Sequence, residues 1–522
     1  MPGTDAQEEV FAFLGNPATH GGAAVRRIDT HAASVFLTGE RAYKVKRAVR
    51  FPFLDFSTLA RRQRACEAEL EANRPFAANL YRGVVAITRE ADGRLAIAGR
   101  GTPVEWAVEM VRFDENATLD RLADRGEIDS ALADALARAV VRAHGEAPVV
   151  DATPWLDALG GFIAQNGAEL LAAPELFAPD KVAALTQASR AALDRVRPLL
   201  TRRGERGLVR RGHGDLHLGN IALIDGKPVP FDALEFDPLI ASGDVLYDLA
   251  FLLMDLIERG LAAPANAVLN RYLAETRRAD DLDGLAALPL FMSMRATIRA
   301  KVTAARLGHA AAPARAAITA AARTYFDLAC ALIAPPPPTL LAIGGLSGTG
   351  KSALARALAP GLLPHPGAVL LRSDVERKLA FGIGETERLP PAAYSAEASA
   401  RVYAMLADRA RAVIAAGQSA IVDAVFAAPQ ERAAMAALAS ARGIGFRGLF
   451  LVADLETRLQ RVAARRNDAS DADAEVARRQ QAYDLGTMDW TVVDASGSLE
   501  ATLARAREAL VRDPEKWTPV FG

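Results

Sequence analysis

Cysteine is almost missing from this chain of 522 residues, in which only Cys66 and Cys330 occur. Two cysteines this far apart provide neither a disulfide framework nor the paired spacing of a cysteine metal site. An excess of charge of one sign is missing as well, because 62 Lys and Arg residues face 63 Asp and Glu residues. A nucleic-acid partner would need a local basic patch that this balance does not reveal, so we do not expect one.

Long apolar runs free of charge are missing too. The most apolar stretch, residues 245–262, is predicted to be a buried helix and not a membrane span, because it contains Asp248, Asp255, Glu258 and Arg259. The beginning of the chain is acidic and lacks the basic and then apolar pattern of a secretory signal. We therefore expect a cytoplasmic protein without a membrane partner.

The chain has the length for two domains and a clear joint between them. A sequence of 522 residues that is 51% hydrophobic can bury two separate cores. Residues 335–338 are consecutive prolines, which favour a stiff extended spacer. We predict one domain over residues 1–334, a linker over 335–338 and a second domain over 339–522. An oligomeric state does not follow from the sequence.

A phosphate-binding loop follows the linker. Residues 339–343 are a short apolar run typical of a buried parallel strand, and a helix-forming segment leads from residue 351 to Pro360. Between them, glycines let backbone N–H groups converge on phosphate oxygens, a lysine bridges the β and γ phosphates, and a serine hydroxyl ligates Mg²⁺. This loop consists of Gly345, Leu346, Ser347, Gly348, Thr349, Gly350, Lys351 and Ser352. It predicts ATP or GTP binding.

Two later strands are each predicted to end on an acid, Asp374 and Asp423. The carboxyl ends of parallel strands face the ligand crevice, so both carboxylates are expected beside the phosphate loop. We predict that Asp374 accepts the proton of a substrate hydroxyl and that Asp423 holds Mg²⁺ through water. A capping role at a strand–helix turn is the alternative for each residue.

A pair of arginines suits a lid over these groups. Arg461 and Arg465 are four residues apart, which places them on one face of a predicted helix. They are predicted to close over the transferring phosphoryl group, with residues 467–473 as the flexible tip of the lid. Arginines in solvated ion pairs fit the spacing equally well.

The C-terminal motifs resemble those of P-loop kinases that phosphorylate small molecules or polynucleotide ends, a group that includes gluconate kinase, the kinase half of polynucleotide kinase and zeta-type toxins. The matching residues are 345–352, 373–378, 422–426 and the Arg461/Arg465 pair. The resemblance implies a parallel α/β sheet flanked by helices. It does not name the acceptor.

A second signature lies at residues 213–220, which read His-Gly-Asp-Leu-His-Leu-Gly-Asn. Asp215 and Asn220 have the spacing of a catalytic loop in which the Asp accepts a hydroxyl proton and the Asn ligates a metal. A hairpin turning at the Asp-Gly dipeptide 225–226 would return Asp232 to the side of Asn220. These residues predict a catalytic base beside a Mg²⁺ site.

This arrangement resembles the aminoglycoside phosphotransferase and choline kinase family over most of residues 30–330. The resemblance implies a bilobal fold like that of protein kinases, with ATP and Mg²⁺ as cofactors. Gly214 replaces an Arg that pairs with a phosphorylated activation loop in protein kinases, and residues 232–235 read Asp-Ala-Leu-Glu where Asp-Phe-Gly is usual. A small-molecule acceptor is therefore favoured over a protein.

The same resemblance implies a nucleotide-binding lobe before residue 115. Residues 33–46 are predicted to form a hairpin that turns at residues 38–41, so that Lys44 and Lys46 point to one face. We favour Lys44 as the ligand of the α and β phosphates, with Lys46 as the alternative and Glu69 as the ion-pair partner. Met110 is predicted to lie in the adenine hinge. A recognisable glycine-rich loop is missing, which leaves this as the weaker ATP site.

Taken together, the sequence predicts a fusion of a kinase-like domain with a P-loop kinase domain. Each site would transfer phosphate from Mg·ATP to a hydroxyl, with Asp215 as base in the first and Asp374 in the second. The expected acceptor is a small molecule such as a sugar, an aminoglycoside or a nucleoside. Two alternatives are a nucleotide-sensing protein and a nucleic-acid end kinase or toxin-like factor built on the P-loop half.

Overall fold

The computed structural model describes residues 2–51, 54–308, 310–465 and 468–511. Its internal contacts divide the chain into two compact units, the first made of Met1–Gly161 with Leu200–Asp255 and the second of Phe162–Leu199 with Leu256–Gly522. The prolines 335–338 lie between a helix that ends at Ile333 and a strand that begins at Thr339. The helices after residue 256 therefore group with the C-terminal sheet, and the domain division at 335–338 stays a prediction.

The first unit is built on an antiparallel sheet in the order β1-β2-β3-β8-β6-β7, with three smaller two-stranded pairings beside it. Within the described residues its strands are β1 (Val25–Asp29), β2 (Ala33–Thr38), β3 (Arg41–Lys46), β4 (Arg50–Phe51), β5 (Leu54–Asp55), β6 (Tyr81–Arg89), β7 (Leu95–Ile97), β8 (Thr102–Val111), β9 (Val209–Arg211), β10 (Ile221–Ile224), β11 (Lys227–Pro230) and β12 (Ser242–Asp244). The helices up to residue 258 are α1 (Pro2–Gly15), α2 (Leu59–Ala77), α3 (Leu119–Asp124), α4 (Ser130–Glu146), α5 (Thr153–Leu171), α6 (Pro179–Glu205), α7 (Pro238–Ala241) and α8 (Val245–Glu258).

Both predicted hairpins are confirmed. Thr38 pairs with Arg41 at the end of the β2–β3 hairpin. Ile224 pairs with Lys227 around a turn in which Asp225 and Gly226 both have positive φ, 50° and 73°. Two central residues with positive φ match the right-handed twist of the flanking strands, and Asp-Gly is a favoured sequence for such a turn.

The second unit contains the C-terminal sheet and the helices around it. Besides the second half of α5 and the greater part of α6, its helices and strands among the described residues are α9 (Ala262–Thr276), α10 (Ala279–Gly284), α11 (Leu288–Ala305), α12 (Ala312–Ile333), β13 (Thr339–Gly345), α13 (Lys351–Leu358), β14 (Val369–Arg372), α14 (Ser373–Ala380), α15 (Ala396–Ala415), β15 (Ala420–Asp423), α16 (Pro429–Ser440), β16 (Gly445–Val452), α17 (Leu455–Ala464), α18 (Ala474–Arg479), β17 (Thr491–Asp494) and α19 (Leu499–Val511).

The C-terminal sheet is parallel throughout, in the order β14-β15-β13-β16-β17. Its central strand β13 buries Leu341 and Ile343 completely against Leu354 and Leu358 of α13. Full burial of one such side chain contributes about 1.5–3 kcal/mol. The predicted parallel α/β sheet with flanking helices is thereby confirmed, and its carboxyl edge carries the phosphate loop.

Edge strand β14 is covered by asparagines of α9. Asn270 Oδ1 accepts a hydrogen bond from Leu370 N at 2.7 Å, and its Nδ2 donates to Ala368 O at 3.1 Å. Asn266 Nδ2 donates to the same carbonyl at 3.0 Å. Since an edge strand has unpaired N–H and C=O groups, these side chains take the place of a further strand.

Replacing Asn270 by alanine is expected to lower the free energy of unfolding by about 1–3 kcal/mol, because the Leu370 N–H is left without its partner. Urea denaturation measures the change. The control is Gln460→Ala, whose exposed amide bonds only to Glu456 one turn away and whose loss is expected to cost less than about 0.5 kcal/mol. Equal losses in the two variants would show that the asparagine cover does not stabilise the strand.

Helix α12 meets the length and composition of a membrane span, with 33% of its most apolar window buried. It packs against its neighbours: Ala329 O accepts a hydrogen bond from Ser293 Oγ at 2.8 Å, and the Phe326 ring lies 5.1 Å from that of Phe177. A core helix passes the same length and composition test. The helix therefore gives little support for a membrane-spanning segment.

Candidate active sites

The phosphate loop connects β13 to α13 as predicted. Gly348 has φ of 87°, and a Cβ atom on it would lie 2.5 Å from Arg458 O, so the position requires glycine. Lys351, the first residue of α13, folds back over the loop and donates from Nζ to Leu346 O at 3.2 Å. Burial lowers the pKa of Lys351, and the nearby Asp423 and Asp374 oppose that shift.

Ser352 and Asp423 are joined at the carboxyl edge of the sheet, where Ser352 Oγ donates a hydrogen bond to Asp423 Oδ2. Asp423 is only 4% exposed. A hydroxyl and a carboxylate are hard oxygen ligands of the kind that Mg²⁺ takes when its other ligands are phosphates and waters. The residues present therefore fit the ion. In the described part of the chain, no group of three or more His, Cys, Asp or Glu that could hold a metal occurs.

Asp374 lies in the first turn of α14, two residues beyond β14, and not on the strand itself. Its carboxylate accepts a hydrogen bond from the Ser470 side chain. Burial raises the pKa of Asp374, and the negative charge of Asp423 raises it further against the effect of Arg372 and Lys351. A carboxylate with a raised pKa is a stronger proton acceptor than an ordinary one.

The two lid arginines do not share a helix face, and that part of the prediction is wrong. Helix α17 ends at Ala464, and Arg465 is extended with φ of −60° and ψ of 140°. Arg461 donates hydrogen bonds to Gly497 O at 2.6 Å and to Thr349 O, in the backbone of the phosphate loop, at 3.4 Å. Arg465 instead lines the cleft in front of that loop. Asn467, at the predicted lid tip, lies outside the described residues.

Lid residues 468–473 make several contacts with the segments in front of the sheet. Asp471 accepts hydrogen bonds from Lys378 Nζ, Leu389 N and Tyr394 Oη, each at 2.9 Å. Lys378 is 1% exposed, so its ammonium group is buried against this carboxylate. The described part of the lid is therefore held down over residues 378–394.

A cleft of about 1230 Å³ unites these groups. Its walls include Lys351, Ser352, Asp374, Asp423 and Arg465. It is also lined by side chains that carry hydroxyls, a guanidinium group and a carboxylate, namely Arg377, Tyr394, Ser399, Tyr403 and Glu431. The cleft has room for a nucleotide phosphate chain and a polar small molecule together.

Two arginines of this site were missed by the sequence reasoning. Arg458, 2% exposed, donates to Ser347 O at 2.9 Å and to Ala477 O at 2.9 Å, and so joins the phosphate loop to α18. Arg372, the last residue of β14, reaches Ser352 Oγ with Nη2 at 3.3 Å. In the sequence, its position directly before the Ser-Asp dipeptide 373–374 could have indicated that Arg372 belongs to the site.

The second signature forms a loop between β9 and β10 in the first unit. Asn220 Nδ2 donates to Asp215 Oδ2 and to Asp215 O, both at 3.0 Å. His217 Nδ1 accepts from Gly219 N at 3.1 Å, and His213 Nε2 bonds to Phe231 O at 2.9 Å. Both histidines thus support the loop, and burial lowers the pKa of His213.

Acids of helix α8 hold this loop from behind. Asp248 accepts hydrogen bonds from His213 N at 2.8 Å and Gly214 N at 2.9 Å, and Asp255 accepts one from Leu218 N at 2.9 Å. Gly214 has φ of 78° and packs against Leu234, which leaves no space for an arginine side chain. Two of the four charges that interrupt the apolar run 245–262, Asp248 and Asp255, are therefore loop supports, seven residues apart on one helix face.

The hairpin β10–β11 returns the chain to Asn220, as predicted. Phe231 N donates to Asn220 O at 2.8 Å, and Asp232 follows directly. Asp232 has φ of 62° and donates its N–H to Tyr81 Oη at 3.0 Å. Asn220 and Asp232 both carry side-chain oxygen atoms, and the hairpin returns Asp232 to the neighbourhood of Asn220, so these residues fit a Mg²⁺ ion bound together with a nucleotide.

Both candidate lysines of β3 pair with Glu69 of α2. Glu69 lies 2.8 Å from Lys44 Nζ and 2.6 Å from Lys46 Nζ. Lys44 also contacts Asp232, and Lys46 contacts Glu235. Burial would raise the pKa of Glu69, but the two lysines lower it to about 2. The two lysines have different surroundings. Lys44 contacts Asp232, the acid of the candidate metal site, whereas Lys46, 3% exposed, contacts Glu235, whose side chain is 9% exposed.

These surroundings predict different effects for the two lysines. Lys46→Ala is expected to lower the free energy of unfolding by about 3 kcal/mol, since Glu69 and Glu235 lose a buried partner. Lys44→Ala is expected to weaken ATP binding at this site with a smaller loss of stability, because Asp232 is 44% exposed and can be solvated. Urea denaturation and nucleotide titration of both variants separate the roles, and the reverse pattern would assign the nucleotide to Lys46.

Met110 lies within β8, opposite Ala42 of β3 and Tyr81 of β6. Its side chain is buried in the core beneath the sheet, 7% exposed. The chain leaves the sheet only after Val111, so the backbone open to a nucleotide begins one or two residues later. Its place in an adenine hinge stays a prediction.

Comparisons with known proteins agree with this division of sites. Residues 29–287 match the family described as "Phosphotransferase enzyme family", and residues 340–484 match the family described as "AAA domain". Uncharacterized proteins of Mycobacterium tuberculosis and Mycobacterium bovis are 29% identical over 490 residues, which cover 92% of this chain and 94% of theirs.

Solved structures are similar to each part separately. A choline/ethanolamine kinase family protein from Mesorhizobium loti is 14% identical with a TM-score of 0.36, covering 63% of this chain and 99% of that one. A gluconokinase from Sinorhizobium meliloti is 19% identical with a TM-score of 0.26, covering 34% of this chain and 94% of that one. By its two family matches, the chain is an enzyme of the phosphotransferase class, in which residues 29–287 match the phosphotransferase enzyme family and residues 340–484 match the AAA domain family.

Proposed function

We propose that the protein transfers phosphate from Mg·ATP to a hydroxyl group of a small molecule, and that the P-loop cleft is the principal site. The observation that carries this proposal is the meeting of Lys351, Ser352, Asp374, Asp423 and Arg465 on the walls of one cleft. Each has a separate task in phosphoryl transfer. Free cysteines at both positions and a lack of net charge suit a cytoplasmic enzyme with a small polar substrate.

In the proposed mechanism the loop N–H groups and Lys351 bind the phosphate chain of ATP. Asp374 accepts the proton of the acceptor hydroxyl, aided by its raised pKa, and Arg465 balances the charge on the transferring group. Ser352 and Asp423 would hold the metal ion, which would supply positive charge to the phosphate oxygens. The lid, fastened through Asp471, excludes water from the cleft.

The first unit is proposed as a second phosphotransferase site. Asp215 is its base, Asn220 and Asp232 are its metal ligands, and Lys44 with Glu69 binds the nucleotide phosphates. Support comes from the hydrogen bonds that hold Asp215 beside Asn220 and from the ion pair of Lys44 with Glu69. This site is expected to bind ATP more weakly, because a glycine-rich loop is missing above it and Lys44 must first leave Asp232.

Metabolite profiling of the purified protein tests both proposals. Wild type, Lys351→Ala and Asp215→Ala are incubated with Mg·ATP and a cell extract, and phosphorylated products are compared. A product lost only in Lys351→Ala belongs to the P-loop site, and one lost only in Asp215→Ala to the first site. If wild type forms no product that either variant lacks, and binds no nucleotide, the kinase proposal is wrong.

A further inference from the structure

The feature that the proposed reaction leaves unused is the guanidinium of Arg372. It lies at the carboxyl end of β14, directly opposite Asp423 in the register of the neighbouring strand β15. Nη2 is 3.3 Å from Ser352 Oγ and 3.2 Å from Asp468 Oδ1, and Nε is 3.6 Å from Asp423 Oδ2. One side chain therefore contacts both candidate metal ligands and an acid of the lid.

The three contacts compete for one positive charge. The Arg372 side chain is 13% exposed and that of Asp423 is 5% exposed, so neither charge is well solvated. A guanidinium group is charged at any ordinary pH, so the single positive charge of Arg372 is divided between Asp423 at the metal site and Asp468 on the lid.

We infer that Arg372 is a positioning residue that couples closure of the lid to metal binding at the P-loop site. With the lid closed, Asp468 draws the guanidinium charge toward itself and leaves Asp423 available to a divalent cation. When the lid opens, Asp468 is withdrawn, and Arg372 is left beside Asp423, where it competes with the cation and repels it. Metal affinity then depends on the state of the lid, and release of metal and nucleotide accompanies lid opening. This inference rests on the proposed nucleotide site.

The inference predicts opposite effects for its two partners. Arg372→Gln removes the competitor of the cation, so the Mg²⁺ concentration for half-maximal nucleotide binding should fall. Asp468→Asn leaves the arginine with Asp423, so that concentration should rise. We expect a shift of about fivefold or more in each direction, the lower end of typical coupling between sites. The double variant should behave like Arg372→Gln, because Asp468 acts on the metal site only through the arginine, whereas two variants that merely loosen the site would both weaken binding.

The measurement is binding of a non-hydrolysable ATP analogue to the full chain over a range of Mg²⁺ concentrations. The P-loop contribution is the part of binding that Lys351→Ala removes. Arg505→Gln serves as control, because Arg505 pairs with Asp494 at 3.6 Å on an exposed surface of the same unit. If wild type has no component that Lys351→Ala removes, the proposed function of this site fails. If that component exists but the two variants shift its Mg²⁺ dependence in the same direction or not at all, the inference about Arg372 is overturned.

Should Arg372→Gln unfold, as a thermal melt would reveal, Asp468→Asn still decides the matter. Asp468 is 26% exposed in its side chain and lies on the lid, so its replacement is tolerated more readily. A rise in the required Mg²⁺ concentration in this variant supports the coupling. An unchanged or lower requirement contradicts it.

Discussion

Replacing Asp374 by asparagine is expected to lower kcat for phosphoryl transfer at the P-loop site by about 10²–10⁴-fold. Asparagine keeps the shape of the side chain and its contact with the lid, but it cannot accept the proton of the acceptor hydroxyl. Nucleotide binding should stay close to wild type, because no hydrogen bond among the described residues joins Asp374 to the phosphate loop. The expected result is therefore a fall in kcat without loss of ATP affinity.

The same variant should melt at a higher temperature at pH 7. The pKa of Asp374 is raised in the folded chain, so the folded state binds the proton more tightly than the unfolded state. Stability then declines as pH rises from the unfolded pKa through the folded one, and the ionised carboxylate costs stability at neutral pH. A neutral amide removes this cost, and below the unfolded pKa the advantage over wild type should disappear.

Asp408→Asn is the matched control for both measurements, since Asp408 is 71% exposed and pairs with Arg411 one turn away. It should change neither kcat nor the melting temperature appreciably. If Asp374→Asn turned over an identified P-loop substrate as fast as this control, Asp374 would not be the base. A melting temperature below that of the control would show that the ionised carboxylate stabilises the fold.

Lys351→Ala is expected to lower turnover at the P-loop site by about 10²–10³-fold, the effect of removing one donor to a developing charge. Unlike the asparagine variant, it should also weaken binding of the ATP analogue, because the ammonium group lies over the loop that receives the phosphates. Titration calorimetry in the presence of Mg²⁺ measures the affinity, and release of ADP measures turnover.

Lys301→Ala is a suitable control for the lysine variant. Lys301 is also largely buried, 19% exposed, and pairs with Glu169 at 3.1 Å, but it does not line the cleft. Activity that remains in Lys351→Ala should fall further when Asp215→Ala is added, because part of it comes from the first site. A double variant with wild-type turnover would mean that neither proposed site performs the reaction.

Much of this architecture was predictable because its signals are local. The phosphate loop is framed by an apolar strand and a helix within about 20 residues, and the turn at Asp225 and Gly226 specifies its own backbone geometry. The pairing of Glu69 with the lysines of β3 followed from a family resemblance. Local patterns and resemblance together thus placed most of the candidate residues.

The remainder depended on packing between distant segments. The spacing of Arg461 and Arg465 would place them on one face only if the helix continued, and α17 ends between them. In the sequence, Asp248 and Asp255 only interrupt an apolar pattern. Their role in holding the loop is visible only from their hydrogen bonds in the structure. The contacts of Arg372 depend on the order of the strands in the sheet and on the position of the lid. The residues next to Arg372 in the sequence specify neither.

The asparagines of α9 make the edge of the C-terminal sheet dependent on a helix that lies before the prolines 335–338. Residues 262–276 fall within the stretch that matches the phosphotransferase enzyme family, yet Asn266 and Asn270 bond to the outermost strand of the P-loop sheet. A gene split at the prolines 335–338 would yield a C-terminal protein with that strand bare, prone to associate with other strands. The sheet therefore depends on a helix that precedes the prolines, and a separate C-terminal protein would need a new cover for this edge.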